Sequence, residues 1–132
     1  MIYATDHGED IFDDDRSRFL HASIVPTYYQ LHVPMLVYVS DYYKESHPDK
    51  VAQLDSNRQR QVSSTASFFN TLVDLSGIDT GSVDKSKSLA SETYREPERV
   101  FLTDRNEQIK LIDAGLKKED YQKFKEYKIQ ID

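Results

Sequence analysis

Cysteine is missing from this 132-residue chain, and glycine and proline are scarce, with four of each. Without cysteine, neither a disulfide nor a thiolate metal site is possible, and the redox compartment stays open. So few glycines argue against a phosphate-cradling glycine loop, and no Ser-His-Asp order is visible. No stretch approaches the ~18 apolar residues of a membrane span, and no signal peptide opens the chain. Basic residues are outnumbered, 17 against 23, giving a net charge of −6. No Lys/Arg cluster interleaves with aromatics, so nucleic-acid binding by phosphate neutralisation is disfavoured. The apolar fraction, 38%, is low beside 30% charged residues, a balance expected where some buried surface faces further protein. At 15.4 kDa the chain has the length of one domain, able to bury about two-thirds of its unfolded surface.

The run Ile2–Thr5 is short, apolar and β-prone, which predicts a buried strand. Asp10–Leu31 reads mainly as loop. Val33–Ser40 is the clearest strand, a continuous apolar run suited to a central position, with Pro34 where a ladder donor can be spared. Asp41–Asn57 predicts two short helices broken at Pro48. Ser63–Ser76 predicts an amphipathic helix on which Thr65, Phe69, Leu72 and Ser76 share a face with Val62, Ala66 and Val73. Val62, Phe69 and Leu72 are expected in the core, Ser63 or Ser64 at the N-cap, and Gly77 at the C-terminal stop. Poor in apolar residues, residues 79–98 are expected to form a mobile surface connection. Residues 99–132 predict a hairpin, Arg99–Asp104 and Gln108–Ile112 around Arg105-Asn106, then a charged helix Lys118–Lys128 with Tyr121, Phe124 and Tyr127 along one edge.

Chemistry concentrates at Asp6-His7-Gly8-Glu9, directly after the first strand. Zinc-type ions take imidazole nitrogen and carboxylate oxygen, usually four ligands. Neighbours on a regular strand point opposite ways, but at a strand end the backbone turns, Gly8 permits the turn, and Asp6 and His7 can face one ion. Glu9 is placed to be a further ligand or an outer acceptor. In open α/β sheets such sites lie beyond the carboxyl ends of strands. The triplet alone equally suits a surface turn. His21 and His32 follow His7 by 14 and 25 residues, a spacing that fixes no geometry. The Asp13-Asp14-Asp15 run lacks the alternating acids, central glycine and closing glutamate of an EF-hand loop, so a solvated loop is expected. His47, before Pro48, reads as an exposed loop histidine, and Tyr28-Tyr29 as packing residues.

The run DHGEDIFDDDRSRFLHASIVPTYYQLHVPMLVYVSDYY resembles the C-terminal part of the sulfatase-type domain of the alkaline phosphatase superfamily. Within it, the nearest resemblance is to the bacterial membrane-anchored phosphoethanolamine transferases that modify lipid A and related glycans. Their pattern is a strand ending in DHGE, a loop ending in histidine, then HVPM and an apolar strand. It covers residues 2–78, most strongly 5–9, 21 and 32–40, and nothing specific is seen beyond Asp79.

The resemblance implies an α/β sandwich with a mixed sheet and flanking helices, of which residues 1–132 are a C-terminal segment, incomplete alone. It implies zinc held by Asp6 and His7, with Glu9 as the motif's acid. His21 corresponds to the loop histidine near the transferred phosphoryl group, which can bind a second zinc, and His32 to the histidine opening the HVP strand. The implied nucleophile is a threonine lying upstream, and Thr5 is not that residue. A lipid-linked donor, a glycan acceptor, an inner-membrane parent and a periplasmic catalytic domain complete the expectation. The Asp13-Asp14-Asp15 run and Ala22, where glycine is common, depart from the pattern. A sulfatase would instead carry an upstream Cys or Ser nucleophile in a C/S-x-P-x-R motif. The third possibility is a folded, non-catalytic module. The chain by itself is expected to be inactive, to bind metal weakly or not at all and, with unpaired edges at Ile2–Thr5 or Val33–Ser40, to self-associate.

Overall fold

The computed structural model describes residues 1–21, 24–103 and 105–131. Ala22 and Asp104, the proposed end of the Arg99 strand, lie outside the described residues. Two compact units are present: Met1–Ala4 with Met35–Pro97, and Thr5–Pro34 with Glu98 onward.

In the first unit, β1 (Ile2–Ala4) pairs antiparallel with β4 (Met35–Val37). The eight-residue central strand expected at Val33–Ser40 is therefore three residues long and half of a two-stranded sheet. Nor is β1 buried: cross-strand neighbours Tyr3 and Leu36 stand together on an exposed face. The helices α2 (Asp41–Ser46) and α3 (Pro48–Asn57) break at Pro48 as expected, because proline suits a first helical turn and cannot continue the preceding one. Ser40 caps α2 by accepting the Tyr43 N–H.

Helix α4 (Ser64–Ser76) stops at Gly77, whose φ of 70° is left-handed, a conformation glycine takes without penalty. Ser63 precedes it but turns its hydroxyl to Thr65 rather than capping. The helix is inverted relative to its apolar pattern. Thr65, Phe69, Leu72 and Ser76 are all exposed, while Ser67, Asn70, Thr71 and Asp74 are buried. Phe69 and Leu72 are thus not core, and Val62 is only half-buried.

The inversion has a partner in the segment expected to be a mobile connection. Ser88, Leu89, Ala90, Ser91 and Tyr94 are buried, after a 3-10 turn at Lys85–Lys87. Thr71 Oγ1 accepts the Leu89 N–H (3.0 Å), Asn70 Oδ1 accepts the Asp84 N–H (2.8 Å), and Ser88 Oγ donates to Asp74 (2.6 Å). From α3, Asn57 Nδ2 donates to the Leu89 and Ser91 carbonyls. A buried irregular backbone has to satisfy its own polar groups, and here side chains of two helices do so. That demand outranks the apolar stripe.

The second unit has β2 (Asp10–Ile11) and β3 (Phe19–Leu20) as a short antiparallel hairpin, within the stretch expected to be loop. Asp14 grips Arg16 within its turn. Helix α1 (Tyr28–Leu31) follows, capped by Thr27. Strands β5 (Val100–Leu102) and β6 (Gln108–Lys110) form the expected hairpin, with Asn106 at φ 58° in its turn. Leu111 and Ile112 leave the strand for a 3-10 turn. Helix α5 (Lys118–Glu126) ends short of Lys128, which is left-handed at φ 55° and lets the Ile129 N–H reach the Phe124 carbonyl. Tyr28, Leu111, Leu116 and Phe124 form the core. Of the three aromatics expected to dock, Phe124 is buried and Tyr127 exposed. Asp120, fully buried, accepts from the Tyr28 N–H (2.9 Å) and from both terminal nitrogens of Arg16 (2.7 and 2.8 Å). A buried carboxylate this well donated to is a pinning point for α1 against α5.

Candidate metal and phosphoryl site

Gly8 sets the position of the DHGE segment. Its N–H donates to the Gln30 carbonyl at 2.8 Å, and a Cβ built on it would lie 2.0 Å from the Tyr29 carbonyl oxygen. Its φ is not left-handed. Glycine is demanded here by close backbone approach, not by the special turn expected from sequence. Next to Glu9, Asp10 is buried and accepts from Thr27 Oγ1 (2.6 Å) and Gln30 Nε2 (2.5 Å).

Held this way, the segment brings three side chains together. One ligand-type atom each from His7, Glu9 and His21 lies within 4.8 Å of the other two. His21 Nδ1 donates to Glu9 Oε1 at 2.7 Å. His7 Nδ1 donates to the Gly8 carbonyl at 3.1 Å and lies 3.7 Å from the same Glu9 oxygen. The two imidazole rings are 3.9 Å apart between centroids. Because a carboxylate and a carbonyl can only accept, both Nδ1 atoms carry the proton, and in the neutral rings each Nε2 is a lone pair. Two imidazoles and a carboxylate form a donor set of the kind zinc takes.

Asp6 stands at the edge of this group. Its carboxylate is exposed, accepts the His7 N–H (3.1 Å), and lies 3.8 Å from His7 Nε2. His32 is elsewhere. Tyr28 Oη donates to its Nδ1 at 2.5 Å, and Tyr127 stacks on Tyr28. Burial and nearby Arg99 hold His32 below the usual histidine range, while burial, then the neighbouring Tyr127 and Tyr29, raises Tyr28 and keeps its phenol a donor.

No family model matches the chain. Among curated proteins, phosphoethanolamine transferase EptC of Escherichia coli K12 is 26% identical over 100 residues, 75% of this chain. Phosphoethanolamine transferase CptA of Salmonella typhimurium LT2 matches to the same extent. Over three quarters of its length this chain is similar in sequence to these phosphoethanolamine transferases. It spans about a sixth (17%) of the length of those relatives. The crystal structure of the C-terminal periplasmic domain of EptC from E. coli superposes with a TM-score of 0.63 at 24% identity, over 76% of this chain and 28% of that one. The fold is accordingly part of an α/β, alkaline-phosphatase-like architecture, and the small sheets here are its local portion. Among the described residues no helix is long and apolar enough to cross a membrane.

Sequence reasoning singled out His7, Glu9 and His21 but missed what holds them. Asp10, Thr27 and Gln30 lay in a stretch read as loop. The one available signal was the isolated Thr27 before Tyr28-Tyr29-Gln30, an N-cap residue ahead of a single helical turn.

Proposed function

We propose that this chain supplies part of the metal and phosphoryl site of a zinc-dependent phosphoethanolamine transferase acting on a lipid-linked donor and a cell-envelope glycan acceptor. The observation that carries the reading is the convergence of His7, Glu9 and His21 on one spot in a chain similar in sequence to such transferases. Asp6, His7 and Glu9 would hold the ion. Bound there, zinc supplies Lewis-acid stabilisation of oxygens that gain charge during phosphoryl transfer.

The chain's own residues prepare the site. The Gly8 carbonyl orients the His7 ring, leaving Nε2 outward on the side where Asp6 stands. Glu9 does the same for His21, which in this reading contacts the transferred phosphoryl group through Nε2. His32, whose Nδ1 is engaged by Tyr28, lies apart from the His7, Glu9 and His21 group and would act, if at all, through Nε2. The likeness to a periplasmic domain supports placing the site outside the inner membrane.

The test is transfer by the longest natural protein that contains this segment, assayed with labelled phosphatidylethanolamine. Asp6→Asn and His7→Ala should each abolish transfer and lower bound zinc. Full transfer with normal zinc content overturns the reading. Hydrolysis of an aryl sulfate in place of transfer would move the protein to the sulfatases.

A further inference from the structure

Gln30 bonds to residues beside each member of the His7, Glu9 and His21 group: the Gly8 and Leu20 backbone and the Asp10 carboxylate. Its own carbonyl receives the N–H of Gly8, the residue between His7 and Glu9, at 2.8 Å. Its side-chain Nε2 donates to Asp10 Oδ2, one residue past Glu9, at 2.5 Å. The same Nε2 reaches the carbonyl of Leu20, one residue before His21, at 3.3 Å. Thr27 closes the ring, donating from Oγ1 to Asp10 Oδ1 (2.6 Å) and accepting the Gln30 N–H (3.4 Å). Gln30, Asp10 and Thr27 are all buried, whereas Glu9 and His21 are exposed.

We propose that Gln30 is the positioning residue of this site, fixing the distance between the Glu9 arm and the His21 arm. The inference rests on the metal-site reading above and names the side chain that sets its geometry. An exposed Glu–His pair has little to hold it, because rotamer entropy and solvent offset most of its attraction. Here the rigidity comes from beneath. The buried Asp10 carboxylate must be donated to, and the ring that does so also ties down Gly8 and Leu20. Glutamine suits the position chemically: the Asp10 carboxylate and Leu20 carbonyl are both acceptors, and its NH2 offers two donors where Glu offers none. The acceptor-only partners also fix which way the amide faces.

The test uses the whole chain, with zinc alone as probe and 15N-detected imidazole shifts as a metal-free readout. Gln30→Met keeps length and volume but removes both donors. Asn57→Ala, which removes a buried amide in the other unit, is the control for general loss of stability. Gln30→Met should weaken zinc binding about 10- to 100-fold and move the His21 Nδ1 and Nε2 shifts toward a mixed tautomer. Asn57→Ala should change neither. Thr27→Val, which cuts the ring once, should give an intermediate shift and serves if Gln30→Met fails to fold. Wild-type zinc affinity and unchanged His21 shifts in Gln30→Met overturn the proposal, as would equal effects from Asn57→Ala. Should the wild-type chain bind no zinc, the metal reading fails, and the His21 shifts still decide the role of Gln30.

Discussion

Glu9 and His21 are joined by a 2.7 Å hydrogen bond that spans twelve positions of sequence and the whole β2–β3 hairpin. The bond assigns roles. His21 is the Nδ1–H donor, its Nε2 keeps the lone pair in the neutral ring, and Glu9 anchors the ring. In the proposed site the same Glu9 carboxylate would also bind the ion, so its loss would cost zinc affinity directly as well as freeing the His21 ring.

Glu9→Gln therefore tests the anchor while nearly preserving shape. The amide is uncharged and its NH2 competes as a donor for the same space. Zinc affinity of the chain, measured by competition titration, should fall about 10- to 100-fold. His21→Ala should do at least as much. Wild-type affinity in Glu9→Gln would remove Glu9 from the site.

Gly8→Ala tests the packing beneath it. The added methyl carbon would meet the Tyr29 carbonyl at 2.0 Å, and both atoms belong to backbone that the Gly8–Gln30 hydrogen bond holds together. A clash of this kind cannot be relieved by a rotamer change, so a loss of about 1–3 kcal/mol is expected. The urea midpoint should drop and zinc binding should weaken with it. A midpoint equal to wild type would show that the close approach is not maintained in solution.

Asp74 gives the chain an acid-sensitive element. Burial pushes its carboxyl up, but hydrogen bonds from Lys50, Lys85 and Ser88 outweigh burial and bring it down to about 2 from 3.8. A carboxylate with a depressed folded pKa stabilises the fold above its unfolded value, and that contribution is lost as pH falls from about 4 to about 2. The difference corresponds to about 2 kcal/mol. Asp74→Asn should flatten the pH dependence of the urea midpoint over that window and lower stability at neutral pH. An unchanged profile would show that the Lys50 and Lys85 contacts contribute nothing.

Local punctuation was readable because it depends on single residues: Pro48 divides α2 from α3, Gly77 closes α4, and the turn at Asn106 joins β5 to β6. His7, Glu9 and His21 were readable because few residue types do their chemistry. Two things were not. The first is a turn whose glycine is required by a distant carbonyl, as at Gly8, since sequence carries no record of close approach. The second is a helix whose polar side is buried. Ser67, Thr71 and Asp74 lie one helical turn apart in succession, as core residues do, but a hydropathy pattern assigns such a stripe to solvent. Only the partner segment Asp84–Ser91, with its backbone in need of donors and acceptors, explains why it faces inward.

That inverted helix makes a prediction opposite to its sequence pattern. Phe69→Ser and Leu72→Ser alter exposed side chains, so together they should shift the urea midpoint little, by about 0.5 kcal/mol or less each. Thr71→Val is nearly isosteric yet strips the buried Leu89 N–H of its 3.0 Å acceptor, and should cost about 1–3 kcal/mol. If Phe69 and Leu72 were core, the order would reverse, since truncating a buried Phe or Leu typically costs more than 2 kcal/mol. The same pair decides a second matter. Exposed Phe69 and Leu72 add to the apolar surface of the first unit, where Tyr3 and Leu36 are also exposed, and apolar surface of this kind favours association with a second copy. Light scattering across a concentration series should show mass rising for the wild-type chain and less so for the double variant. A concentration-independent monomer would remove self-association from the expected behaviour of the chain and leave the stability order as the test of the inversion.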